Sequence, residues 1–121
     1  MPFITYSGEI MNDLLKQAIL LAIAEELKPQ TPKGYVYPIN VTVTSLTILD
    51  FVNGEPHTPL FSITLYNDGQ NNAYVGINSY QKTAPLRPGE YLNVEFKTPT
   101  IKKLYLDVNE GETYIRGFGI Y

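Results

Sequence analysis

The chain has 121 residues, of which 44% are hydrophobic and 17% are charged, and it carries a net charge of −3 without any cysteine. This length fits one domain that buries roughly two thirds of its unfolded surface. The absence of cysteine excludes disulfides, cysteine-ligated zinc and thiol catalysis. Because the Lys and Arg residues are dispersed and form no basic stripe, we expect no direct binding to nucleic acid.

The start of the chain does not have the basic and apolar pattern of a secretory signal. Its longest uncharged apolar stretch, residues 18–24, is far shorter than the ~20 residues that a membrane span requires. We therefore expect synthesis in the cytoplasm and no membrane partner.

A helix is predicted over about residues 9–28, with Ser7 as its N-cap and Pro29 after its end. Over residues 18–24 the helical pattern is apolar on all sides, which is typical of a helix buried on all sides or placed between subunits. A sheet covers only one face, so the other face needs either a long loop of the same domain or a second protein. We predict that the residues on this other face lie in a subunit contact: Leu20, Ile23, Ala24 and Leu27.

Residues 29–38 are rich in proline and are predicted to form an extended linker. From Ile39 onward the apolar residues alternate with polar ones, which is the period of a β-strand. The phase of this alternation slips by one residue at Ser45, which indicates a β-bulge or a strand that changes sheets. Turn residues recur at 53–54, 67–69 and 109–111.

These patterns predict an all-β fold, an antiparallel β-sandwich or jelly roll of six or seven strands, with one N-terminal α-helix. Residues 1–38 are expected to form an N-terminal arm, helix and Pro-rich linker, and residues 39–121 the β-sandwich domain.

Few residues point to catalysis. The only histidine, His57, lies in a proline-bounded loop, and a Ser–His–Asp triad would have to use it. The carboxylate pairs that a glycosidase would need are Glu90 with Glu95 or Asp107 with Glu112, and solubility explains them as well. The Asn and Asp clusters match no calcium loop, and tight turns favour the same residues. We expect no enzyme activity, no cofactor and no metal.

Tyrosine is the unusual residue, with 10 Tyr against 5 Phe and no Trp. Tyr66, Tyr74 and Tyr91 lie on or beside predicted strands, and Tyr91 is on the outward phase of its strand. Such side chains suit a protein interface or stacking against sugar rings, although half-buried strands also favour tyrosine for packing alone.

The C-terminal half has a sequence pattern of polar turn, strand, proline-glycine loop and strand. It consists of LYNDG at 65–69, AYVGIN at 73–78, PLRPGE at 85–90 and IKKLY at 101–105, and the chain ends in an aromatic strand. This half resembles small structural proteins of tailed bacteriophages, which decorate heads or sit in the tail. The resemblance implies a particle component that self-associates, and it implies no catalytic residue.

We therefore expect a non-enzymatic structural component of a virus particle, located in the virion, with copies of itself and other virion proteins as partners. The alternative is a carbohydrate-binding or receptor-recognition β-sandwich module, with a glycan as its ligand.

Overall fold

The computed structural model of the protein describes residues 31–121. The predicted helix, and with it Leu20, Ile23, Ala24 and Leu27, lies outside the described residues. The described part of the chain is all-β. Its strands are β1 (Val36–Val43), β2 (Thr47–Asp50), β3 (Ser62–Asn67), β4 (Ala73–Ile77), β5 (Pro85–Leu86), β6 (Tyr91–Glu95), β7 (Lys103–Asp107) and β8 (Thr113–Ile120).

The strands form two antiparallel sheets of four strands each. The first sheet has the order β1-β8-β3-β6, and the second has the order β2-β7-β4-β5. Four of the pairings join β1 with β8, β2 with β7, β3 with β6, and β4 with β5. Taken alone, these four pairings describe one long antiparallel hairpin. The β3–β8 and β4–β7 pairings fold this hairpin on itself, so that its segments form two sheets.

One hydrophobic core joins the two sheets. The first sheet contributes residues such as Ile39, Ile63 and Ile115, and the second sheet contributes Leu104 and Leu106, all with an exposed fraction of 1% or less. Each of these residues alternates along its strand with a more exposed neighbour, as expected where one sheet face is buried. The period-two pattern in the sequence therefore marks which face of each sheet points inward.

The chain crosses between the two sheets near Ser45, as one of the two predicted alternatives has it, but the phase slip itself is wrong. The slip would turn Leu46 and Ile48 inward, whereas each is 48% exposed, and Leu49 and Phe51 pack into the core instead. β1 ends at Val43 in the first sheet, and β2 begins at Thr47 in the second sheet. The first strand also starts earlier than the predicted boundary at residue 39, because Tyr35 and Tyr121 exchange backbone hydrogen bonds of 3.0 Å in both directions. The part of the linker from Val36 onward is therefore an edge strand.

Asn67, at the end of β3, fixes the turn that leads into β4. Its side chain is fully buried, and its amide Nδ2 donates to the carbonyl oxygens of Asn71 and Leu86, each at 2.8 Å. Its Oδ1 accepts hydrogen bonds from the Gly69 N–H at 3.0 Å and from the Thr113 hydroxyl at 2.6 Å. The side-chain amide thus donates both of its hydrogens and accepts two hydrogen bonds, which is its full capacity. These bonds tie the turn to both sheets.

Candidate functional site

The chain itself covers part of the outer face of the second sheet, over β4 and Asp107 of β7, while Ile48 on β2 is 48% exposed. The loop between β4 and β5 folds back over β4, where a Cβ on Gly76 would overlap the Ser79 carbonyl oxygen. The Gln81 side-chain amide donates to the Val75 carbonyl oxygen, which holds the loop against the strand. Only glycine fits below this loop, so the sequence at position 76 allows the cover to form.

Asp107 holds the far end of this loop. Its carboxylate, which is 8% exposed, accepts a hydrogen bond from the Tyr80 hydroxyl at 2.8 Å and lies 3.5 Å from the Lys82 ammonium. Burial alone would raise the pKa of Asp107, but hydrogen bonds from Tyr80 and the Val108 N–H, with the charge of Lys82, lower the pKa below its ordinary value. The same hydrogen bond raises the pKa of Tyr80.

The outer face of the first sheet, in contrast, is crossed by no strand or loop of the described residues, and Pro32 lies only beside its end at Ser62 and Ile120. We call this outer face the open face. It consists of Val36, Pro38, Asn40 and Thr42 on β1, Tyr114, Arg116, Phe118 and Ile120 on β8, Ser62, Thr64 and Tyr66 on β3, and Tyr91, Asn93 and Glu95 on β6. The strand register places these residues in rows across the sheet.

One row of the open face consists of planar side chains, and we call it the planar row. Asn40, Arg116, Tyr66 and Tyr91 are consecutive cross-strand neighbours in this row. The rings of Tyr66 and Tyr91 have centroids 5.8 Å apart, and the Arg116 guanidinium lies 4.5 Å from the centre of the Tyr66 ring. Tyr91 is 66% exposed, so it presents most of its ring to a partner.

Arg116 is neutralised within the face. Its Nε donates to the Asp68 carboxylate at 2.6 Å, and this hydrogen bond, with the charge of Asp68, raises the pKa of Arg116. The pair fixes the guanidinium above Tyr66, where a cation and an aromatic ring attract each other. The row is therefore ordered and carries no net charge.

The neighbouring rows of the open face are more apolar. Phe118 is 39% exposed and stands between Pro38 and Thr64, while Val36 is 58% exposed beside Ile120. These apolar side chains lie next to the planar row. An exposed apolar patch that polar groups surround is typical of a binding surface.

The edge of the first sheet that β1 forms is less suited to binding than the open face. The mutual hydrogen bonds of Tyr35 and Tyr121 set the alternation along β1, so Pro38 directs its backbone toward the open edge. Proline has no N–H to donate there, and proline on an edge strand commonly prevents pairing with a strand of another chain. A partner strand would lose a hydrogen bond at this position.

Two of the three predicted interface tyrosines share this surface. Tyr66 and Tyr91 are paired on the open face, but Tyr74 lies on β4 in the second sheet. The Tyr74 hydroxyl accepts a hydrogen bond from Asn109, and its ring lies 5.8 Å from the Lys82 ammonium. Tyr74 thus belongs to the covered side of the molecule.

The residues weighed for catalysis are placed separately. His57 is in an exposed loop with a positive φ of 65° and lies 3.7 Å from the Glu55 carboxylate. Glu90 accepts a hydrogen bond from the Arg87 N–H at 2.7 Å, and Glu95 is exposed on β6. Asp107 holds the β4–β5 loop. Within residues 31–121 there is no group of three or more His, Asp or Glu side chains placed to hold a metal ion, and no helix long and apolar enough to span a membrane.

Sequence reasoning missed Arg116, Phe118 and Tyr114 as members of the surface. A signal for them exists, since they alternate along β8 with Ile115, Gly117 and Gly119. Large residues on one phase and small ones on the other indicate that the large ones point outward. That β8 lies in the middle of the sheet, and so brings Arg116 next to Tyr66, is not visible in the sequence.

No protein-family model, curated protein or solved structure matches this chain.

Proposed function

We propose that this chain is a non-enzymatic jelly-roll β-sandwich that serves as a structural component of a virus particle and associates with a second copy of itself through the open face. The observation that carries the proposal is the difference between the two sheets. On the second sheet the β4–β5 loop covers β4 and Asp107 of β7, whereas no strand or loop of the described residues crosses the open face, which leaves Tyr91 66% exposed and Val36 58% exposed.

The strand orders β1-β8-β3-β6 and β2-β7-β4-β5 support the jelly-roll assignment, because the four hairpin pairings wrap one long antiparallel ribbon into two sheets. Jelly rolls of eight strands occur in viral capsid and lectin domains. The fold alone does not fix the function. It agrees with the particle role that the C-terminal resemblance implies.

A second copy is the partner that the charges favour. The chain carries a net charge of −3, so two copies repel each other in general. The one cation of the planar row, Arg116, is already paired with Asp68, which makes this row neutral. Two neutral, aromatic rows of this kind can meet without an unpaired charge between them, while the carboxylate of Glu95 lies at the far end of the open face. Self-complementary contacts are the commonest in protein oligomers.

The size of the face sets the expected strength. The four strands have eight, eight, six and five residues, and at ~3.3 Å per residue and ~4.8 Å between strands they give a flat area of roughly 430 Å². Two copies would then bury roughly 900 Å² in total, which is the size of a weak or transient interface. We therefore expect a weak to moderate dimer, with a Kd in the ~1 µM to 1 mM range.

Light scattering behind a sizing column, over protein concentrations up to ~1 mM, tests the association. The wild-type mass should rise above 13.6 kDa with concentration. Tyr91→Glu and Phe118→Glu should each keep the mass near that of one chain. Ile48→Glu is the matched control, because Ile48 is a 48% exposed apolar residue on the other sheet. If the masses of both open-face variants rise with concentration as the wild-type mass does, the proposed surface is wrong.

The particle role has its own test. Virus particles purified from cells that carry this gene should contain peptides of the chain, detected by mass spectrometry after density-gradient separation. Peptides found only in the soluble fraction, and never with particles, would overturn the particle role and leave the association through the open face intact.

A further inference from the structure

A pocket of about 420 Å³ lies at one end of the open face. It is bounded by the turn between β3 and β4, by the start of β8 and by Thr42 of β1. Thr42 and Tyr114 are the next outward cross-strand pair along β1 and β8 after Asn40 and Arg116, so the pocket lies beside the planar row of the open face. Its volume is within the ~300–1,000 Å³ usual for small-molecule sites.

The walls of the pocket are fixed before any ligand binds. The buried Asn67 amide holds the turn, as described above, and Asn71 Nδ2 donates to the Glu112 carbonyl oxygen at 2.7 Å. Gly69 lies so close to β8 that a Cβ there would stand 2.5 Å from the Tyr114 nitrogen. A site with such walls loses little conformational entropy on binding.

The groups that line the pocket are mostly hydrogen-bonding and not apolar. They belong to Thr42, Tyr114, Gln70, Asn71, Asp68 and Glu112. The Tyr114 hydroxyl already donates to Asn40 Oδ1 at 3.0 Å, and Asp68 uses Oδ2 for Arg116. Among residues 31–121 the Glu112 carboxylate has no hydrogen-bond or ion-pair partner. Acceptors therefore exceed donors, and Tyr114, which is 37% exposed, contributes an aromatic side chain to the lining.

We propose that this pocket binds a neutral saccharide. Sugar hydroxyls can donate to carboxylate and amide oxygens while accepting from amide N–H groups, and the apolar face of a sugar ring can lie against Tyr114. The unpaired carboxylate of Glu112 repels anionic ligands, and the polar lining excludes a ligand that is mainly apolar. Further sugar units would extend along the open face toward the rings of Tyr66 and Tyr91, where they would compete with a second copy. The pocket itself does not depend on the association of two copies.

The experiment uses the full chain on an array of neutral and acidic oligosaccharides, followed by titration with the neutral oligosaccharides that bind. Glu112→Gln should weaken binding about fivefold to tenfold, since the amide oxygen of glutamine can still accept a hydrogen bond, and a charged acceptor contributes ~1–1.4 kcal/mol more than a neutral one. Glu95→Gln is the matched control, because Glu95 is an exposed carboxylate at the far end of the open face, and its binding should equal that of the wild type. Equal urea midpoints for both variants show that folding is unchanged.

Three outcomes overturn the proposal: no binding to any neutral oligosaccharide, binding to acidic oligosaccharides alone, or neutral binding that Glu112→Gln leaves unchanged. Because Tyr91→Glu disrupts the proposed dimer contact, binding of a neutral monosaccharide by this variant separates the saccharide pocket from the association. A failed dimer with saccharide binding retained refutes only the proposed self-association.

Discussion

Replacement of Asn67 by leucine should destabilise the fold more than any other polar substitution in the described strands. Leucine has nearly the same size but leaves four groups without their partner: the Asn71 and Leu86 carbonyls, the Gly69 N–H and the Thr113 hydroxyl. An unsatisfied buried group costs ~1–3 kcal/mol. The Leu86 and Thr113 groups are buried, while the other two are near enough to the surface to bind water.

We therefore expect Asn67→Leu to lower the free energy of unfolding by ~2–5 kcal/mol, a large part of the ~5–15 kcal/mol of a typical domain. In urea, with a slope of ~1.2 kcal/mol per M, the midpoint should fall by ~2–4 M without a change in slope. The control Asn93→Leu, at an exposed position of β6, should stay within ~0.5 kcal/mol of the wild type.

A second variant isolates one of these hydrogen bonds. Thr113→Val removes the hydroxyl that donates to Asn67 Oδ1, while the Gly69 N–H still donates to the same oxygen. Thr113→Val should lower the free energy of unfolding by ~1 kcal/mol. The double variant with Asn67→Leu and Thr113→Val should lower it by less than the sum of the two single effects. If Asn67→Leu lies within ~1 kcal/mol of the wild type, the amide does not hold the turn as argued.

Two further predictions concern the covered sheet. Gly76→Ala should cost ~3 kcal/mol in chemical denaturation because its Cβ overlaps the Ser79 carbonyl, whereas Gly34→Ala, in open space with φ of 81°, should cost only ~1 kcal/mol. Equal costs would contradict the close approach of the loop. Asp107 has a lowered pKa in the folded state, so its contribution to stability is present above its unfolded pKa and is lost as pH falls below about 5. Asp107→Asn should flatten the dependence of the urea midpoint between about pH 6 and 3, and an unchanged pH profile would refute the role of the Tyr80 hydrogen bond.

Part of the fold could be predicted from the sequence because it depends on local alternation. The inward and outward phases of β3 and β6 and the outward direction of Tyr91 follow from the period of two. The phase slip predicted at Ser45 is wrong, because Leu46 and Ile48 are exposed and the inward phase continues at Leu49 and Phe51. β5 was not predicted, because it has only two residues, Pro85 and Leu86, which is too short to show any period. Its pairing with β4 is decided by tertiary structure.

The candidate site was predictable only in its residue types. An excess of tyrosine indicates a surface, but only the order β1-β8-β3-β6 brings the side chain of Arg116 over Tyr66 and places Tyr74 on the other sheet. Asp68 and Arg116 are 48 residues apart in the chain, and no local pattern pairs them.

The sequence by itself determined that residues 39–121 form alternating strands with turns between them, because a side chain's direction along a strand depends on its immediate neighbours. Only the tertiary structure decided which sheet each strand joins, which outer face is covered and which stays open. These features depend on contacts between residues far apart in the chain, such as the loop over Gly76 and the central place of β8, and local preferences do not encode such contacts.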